Sequence, residues 1–124
     1  MPPSFLLSLA LAAAQPAPAQ PAPPLVLAAP VEKDVQCLVF FMMAAGTEKD
    51  PKRLQAAIAG TWYFVGRLDI SSPGLDLERA LRQELAAMEG KAEVKDLATA
   101  CDAQFGKRGG ELVDIGHSLQ GGKP

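Results

Sequence analysis

Residues 34–46 read DVQCLVFFMMAAG, and the way their side chains distribute around a helix decides the fold. At 100° per residue, Val35, Leu38, Val39 and Met42 form one stripe, while Cys37, Phe40, Phe41 and Ala44 lie on the opposite side. A helix that is apolar all round is normally buried all round. The segment is therefore expected at the centre of the molecule, opened by Asp34 as N-cap and stopped by Gly46. Its reverse side needs a cover, and Cys37 supplies the means of attaching one.

Three further helical segments follow. Asp50 and Pro51 are a strong start signal, a capping carboxylate followed by a proline at the first helical position. Behind them Leu54, Ala57, Ile58, Thr61, Val65 and Leu68 make one stripe, with Trp62 and Phe64 on its flanks and Tyr63 opposite. Gly60 and Gly66 lie off the stripe and each cost a helix about 1 kcal/mol relative to Ala, but glycine on a helix flank permits close backbone approach, so a neighbouring element is expected to press there. Ser71-Ser72-Pro73-Gly74 ends this helix as a turn. Asp76 caps the third segment, whose Leu77, Ala80, Leu81, Leu85 and Met88 are expected to face inward, and Gly90 closes it. The fourth opens near Lys91 and carries Val94, Leu97, Ala98, Cys101, Phe105, Leu112, Ile115 and Leu119 in one phase. That phase survives Gly109-Gly110 without a slip, so one long helix is expected, with any bend at the glycines. Arg108 falls in the same stripe and must snorkel or meet a carboxylate. Strand signals are nearly absent, and the fold class expected is all-α: a small four-helix bundle with one disulfide, Cys37–Cys101, joining the first and last helices. Closing a loop of about 65 residues is worth roughly 4 kcal/mol in the chain-entropy model.

Oxidation of the two cysteines presupposes an oxidising compartment, and the N-terminus agrees. Residues 5–14, FLLSLALAAA, are apolar apart from Ser8, too short for a span of roughly 20 residues but suited to the core of a signal peptide. Small residues follow at the spacing of a cleavage site, so residues 1–14 are expected to be removed and the protein to be periplasmic or secreted. Residues 15–30, QPAPAQPAPPLVLAAP, read as a Pro/Ala-rich linker. Residues 31–120 are then the helical domain and 121–124 a disordered tail.

The chemistry available is sparse. His117 is the single histidine, with no partner suggested by spacing. Two cysteines bonded to each other leave no zinc set and no CxxC motif, so neither metal nor cofactor is expected. FGKRGG at 105–110 lacks the phosphate-loop pattern. The 12 basic and 14 acidic residues are scattered and nearly balanced, without the stripe that nucleic acid or anionic lipid would require. No catalytic constellation emerges, and the chain is read as a non-enzyme. For binding, two features stand out. Tyr63, with Arg67 one turn on, lies opposite the second helix's buried stripe and is expected to be a partner contact. The Phe40-Phe41-Met42-Met43 run is core in the simplest reading, with a homodimer seam or a Met-rich apolar site as the alternative.

The segment Asp34-Val35-Gln36-Cys37, residues 60–68, residues 97–101 and residues 112–116 together resemble small uncharacterised secreted or periplasmic two-cysteine all-helical bacterial proteins. In outline alone the chain is also similar to two-cysteine periplasmic acid-stress chaperones and to immunity proteins of secreted toxins. The resemblance implies a compartment and an architecture and carries no activity. The expected function is that of an exported, non-enzymatic periplasmic binding or structural protein. Its partner would be a protein or apolar group in the cell envelope, with no nucleic acid and no membrane span in the mature form. The alternative is an envelope-stress chaperone that exposes its Phe/Met-rich helix in acid.

Overall fold

The computed structural model describes residues 23–121, helices and their connections preceded by a non-helical segment at 23–28. The leader expected at residues 1–14, the first part of the linker and the last three residues lie outside the described residues. The helices are α1 (Ala29–Thr47), α2 (Pro51–Ser71), α3 (Leu77–Met88) and α4 (Val94–Leu119). The chain is thus all-α, as expected, and α1 is its hub: it packs on each of the other three, most extensively on α2. That is the arrangement a helix apolar on every side requires. Val35, Cys37, Leu38 and Phe41 of α1 are buried with Phe64 and Leu68 of α2, Ala80 of α3 and Cys101 of α4. The Cys37–Cys101 disulfide is formed, with a Cα–Cα distance of 5.4 Å, and both residues are fully buried.

Two of the expected caps are present. Asp50 accepts a hydrogen bond from the backbone N–H of Arg53 at 3.0 Å, and Asp76 accepts from that of Arg79 at 3.1 Å. Each satisfies a donor that the first helical turn leaves orphaned. The turns after α2 and α3 contain Gly74 and Gly90 at φ 87° and 72°, a conformation costly for any residue with a side chain.

Asp34 is not the N-cap expected of it. α1 starts at Ala29, with Pro30 in its first turn, where the missing N–H costs nothing. Asp34 therefore sits inside the helix, 4% exposed, and its carboxylate pairs with Arg67 of α2. The helix also runs past Gly46 to Thr47. The residues just before it are not a free spacer either. Leu25 and Leu27 pack against the core. The Leu25 N–H donates to Gln83 Oε1 at 2.7 Å, Gln83 Nε2 donates to Leu25 O at 2.9 Å, and Arg79 donates to Pro23 O. Extended backbone cannot satisfy itself, so these side-chain partners on α3 are what seat residues 23–28 on the bundle.

The phase of α2 differs from the expected one. Its buried positions are Ala57, Gly60, Phe64 and Leu68, a rotation of about 60° at 100° per residue. The cause is Gly60. A Cβ built there would lie 2.3 Å from Cδ1 of Phe41, so the absent side chain is what lets the Phe41 ring lie on the α2 backbone. Phe41 then stacks on Phe64 at 5.6 Å between centroids and meets Phe105 of α4 edge-on at 5.4 Å. Burying this aromatic cluster outweighs burying Ile58 and Trp62, which turn outward; Trp62 is 70% exposed. A Cβ added at Gly66, by contrast, would meet nothing within 4 Å among the described residues.

Candidate functional site

Tyr63 and Arg67 were expected on an outward face, and the rotation of α2 changes their surroundings. Tyr63 is half-buried against the core, its ring 4.9 Å from that of Phe64 and 5.8 Å from that of Phe105. Arg67 Nε donates to Asp34 Oδ2 at 3.0 Å, and its guanidinium carbon lies 5.8 Å from the Tyr63 ring centroid. Burial works against the Arg67 charge, but the hydrogen bond and charge of Asp34, with a further contribution from Tyr63, outweigh it and raise its pKa above the ordinary value. A cation held more tightly in the folded state contributes fully at neutral and acidic pH and is lost only in strong alkali. These residues tie α1 to α2; Tyr63 is half-buried and not fully outward, while the Arg67 side chain remains 44% exposed.

The reversal of Trp62 and Tyr63 gives a direct check. Trp62→Ala should leave stability within about 0.5 kcal/mol of the parent, as for an unengaged surface residue. Tyr63→Ala should cost about 1–3 kcal/mol through lost packing on Phe64 and Phe105. Paired thermal melts decide it, and the opposite ranking would restore the phase read from the sequence.

The surface feature with the clearest chemistry is a groove between α1, α3 and the start of α4. One end holds about 210 Å³ and is walled by Val39, Phe40, Met43, Leu85, Met88 and Val94, with Glu89 at its edge. Almost no polar atom lines it. Spacing along α1 extends the same face through Gln36 to Glu32, and there a second depression of about 180 Å³ shares Met88 and Val94 with the first. It is lined by the carboxylates of Glu32, Glu84 and Glu93, with Lys91 the one cation on its wall. Glu84 is 4% exposed and, among the described residues, receives one side-chain hydrogen bond, from Gln36 Nε2 at 3.0 Å. It occupies the inward position on α3 that the sequence pattern assigned to Leu85, which instead is partly exposed at the apolar end. The arrangement is an apolar slot with flexible thioether walls, continued by a negatively charged slot.

The Phe40–Met43 run is thereby divided. Phe41 belongs to the core, Phe40 and Met43 line the groove, and Met42 is exposed. Sequence periodicity could not find the groove, because its walls come from three helices whose rotations are set by packing. Among the described residues, no group of three or more His, Cys, Asp or Glu side chains is placed to hold a metal. Nor is any helix of the described residues long and apolar enough to cross a membrane. The chain matches no protein-family model, no curated protein and no solved structure.

Proposed function

We propose that the chain is an exported, non-enzymatic binding protein that seats an apolar segment of an envelope partner in the groove between α1, α3 and α4. The observation that carries this reading is the near-complete absence of polar lining at Phe40, Met43, Leu85, Met88 and Val94. Methionine walls adapt to apolar groups of differing shape. The adjoining carboxylates favour a partner with a basic residue beside its apolar anchor, since opposite charge speeds encounter and sets orientation. The disulfide supports an oxidising compartment, periplasmic or extracellular.

The test is titration of a labelled peptide carrying Leu and Lys on opposite helical faces into the oxidised chain. Saturable, salt-weakened binding is expected, with Met43→Glu lowering affinity at least about tenfold, equivalent to roughly 1.4 kcal/mol. Glu93→Lys, on the exposed rim, should lower it less. Absence of saturable binding, or binding indifferent to Met43→Glu, would remove the groove as the site.

A second reading, the acid-stress chaperone, is favoured by the two buried carboxylates. Asp34 lies in the α1–α2 contact facing Arg67 and Tyr63. Glu84 lies in the α1–α3 contact facing Gln36, in the depression shared with Glu32, Lys91 and Glu93. Both carboxylates thus sit in contacts that cover α1. A hydrophobic dye added as the pH falls to about 3 separates the readings: a rise accompanied by retained helix supports the chaperone, and an unchanged signal removes it.

A further inference from the structure

α4 continues beyond the bundle it packs on. Leu97, Cys101 and Phe105 attach its first half to the core. In its second half Leu112 and Ile115 are 55% and 51% exposed, and Leu119 is 83% exposed. Positions 101, 105, 108, 112, 115 and 119 alternate by three and four, the spacing of a helix–helix seam, so the packed stripe of the first half runs on uncovered through the second. Residues 106–119 also include Gly106, Gly109, Gly110 and Gly116, and a Cβ added at any of them would meet nothing within 4 Å among the described residues outside the local helix backbone. Glycine is the least favourable helix residue after proline, and a helix of this length is marginal in water without tertiary packing. A glycine-rich helical arm bearing a leucine stripe therefore calls for a partner on that stripe.

We propose that the apolar face of residues 108–119 pairs antiparallel with the same face of a second copy of this chain. A two-fold contact requires a patch that complements itself, and the charge on this one does so in only one direction. In the antiparallel register Leu112 of each copy meets Ile115 of the other at the centre, and Arg108 lies beside Leu119 at both ends. That puts each guanidinium at the C-terminal carbonyl end of the opposing helix, where the helix dipole is negative. Parallel pairing would instead set Arg108 against Arg108. Glu111 stays on the edge of the seam with its Arg108 partner, 2.8 Å away. Lys107, Asp114 and His117 fall on the far side of the helix at 100° per residue. Gly109 and Gly116 flank the stripe and leave room for the two backbones to approach. A lipid surface fits less well, because the arm has no basic polar face and carries Glu111 and Asp114.

Sedimentation velocity of the oxidised chain, over about a hundredfold range of concentration, tests the proposal, because dimer population must follow mass action. A monomer–dimer equilibrium is expected. Leu112→Glu and, separately, Ile115→Glu should each weaken it at least about tenfold, while circular dichroism and melting show the disulfide-bonded bundle intact. Arg108→Glu should weaken it as well. A chain that stays monomeric throughout, a dimer unmoved by Leu112→Glu and Ile115→Glu, or a monomer that instead sediments with lipid vesicles would each overturn the proposal.

Discussion

Cys101→Ser should lower the stability of the oxidised protein by about 2–4 kcal/mol, and chemical reduction of the parent should do the same. The bond closes a loop across a sequence separation of 64, which restricts the unfolded chain. In this architecture it has a second effect. α4 reaches the bundle mainly through α1, the smallest of the three contacts that α1 makes, with Leu97 and Phe105 on either side of the bond. Without the bond, a helix that carries three glycines within 106–110 is left to pack on a few side chains. Hydrogen exchange should therefore show α4 losing protection before α1, α2 and α3 do. A midpoint shift of several degrees is expected for a domain of this size. A reduced protein that melts where the oxidised one does, or that loses α4 and α1 together, would mean that packing alone holds the fourth helix.

Phe41→Ala should cost about 3–5 kcal/mol, the range for emptying a buried aromatic site. Phe41 is 3% exposed and touches the rings of Phe40, Phe64 and Phe105, so its removal opens space at the meeting point of α1, α2 and α4. Gly60→Ala probes the same contact from the other side. Helix propensity alone would make that change stabilising by about 1 kcal/mol. The structure predicts the opposite sign, because the new methyl would fall 2.3 Å from the Phe41 ring in a packed core. In the Phe41→Ala background the clash disappears, and Gly60→Ala should become neutral or stabilising. The double-mutant cycle should yield a coupling of about 1–3 kcal/mol, and additive effects would mean that the ring does not lie on Gly60.

That contact also marks where sequence reasoning stops. The number of helices, the caps at Asp50 and Asp76, the turn at Gly90 and the central place of α1 follow from local chemistry or from a pattern carried by one segment. The two cysteines on apolar positions gave the pairing of α1 with α4. The close approach at Gly60 was legible, but the rotation of α2 was not, since nothing in the sequence named Phe41, a residue of another helix, as what presses there. Asp34 looked like a cap because aspartate so often is one, and its true partner, Arg67, is more than thirty residues away. The α4 stripe was legible as a pattern, but nothing in its periodicity tells where the bundle ends. The groove was the least legible feature: Glu84, a charged residue in an inward position, was passed over in favour of Leu85 beside it.

The proposed binding role rests on export into an oxidising compartment, with which the disulfide is compatible. The most direct test is the intact mass of the natural protein after denaturation with a thiol-alkylating reagent and no reductant. The account predicts a chain that begins after residue 14, two hydrogens lighter than its reduced form and carrying no alkyl group. A chain that retains residues 1–14 and takes up an alkyl group at both Cys37 and Cys101 would contradict it.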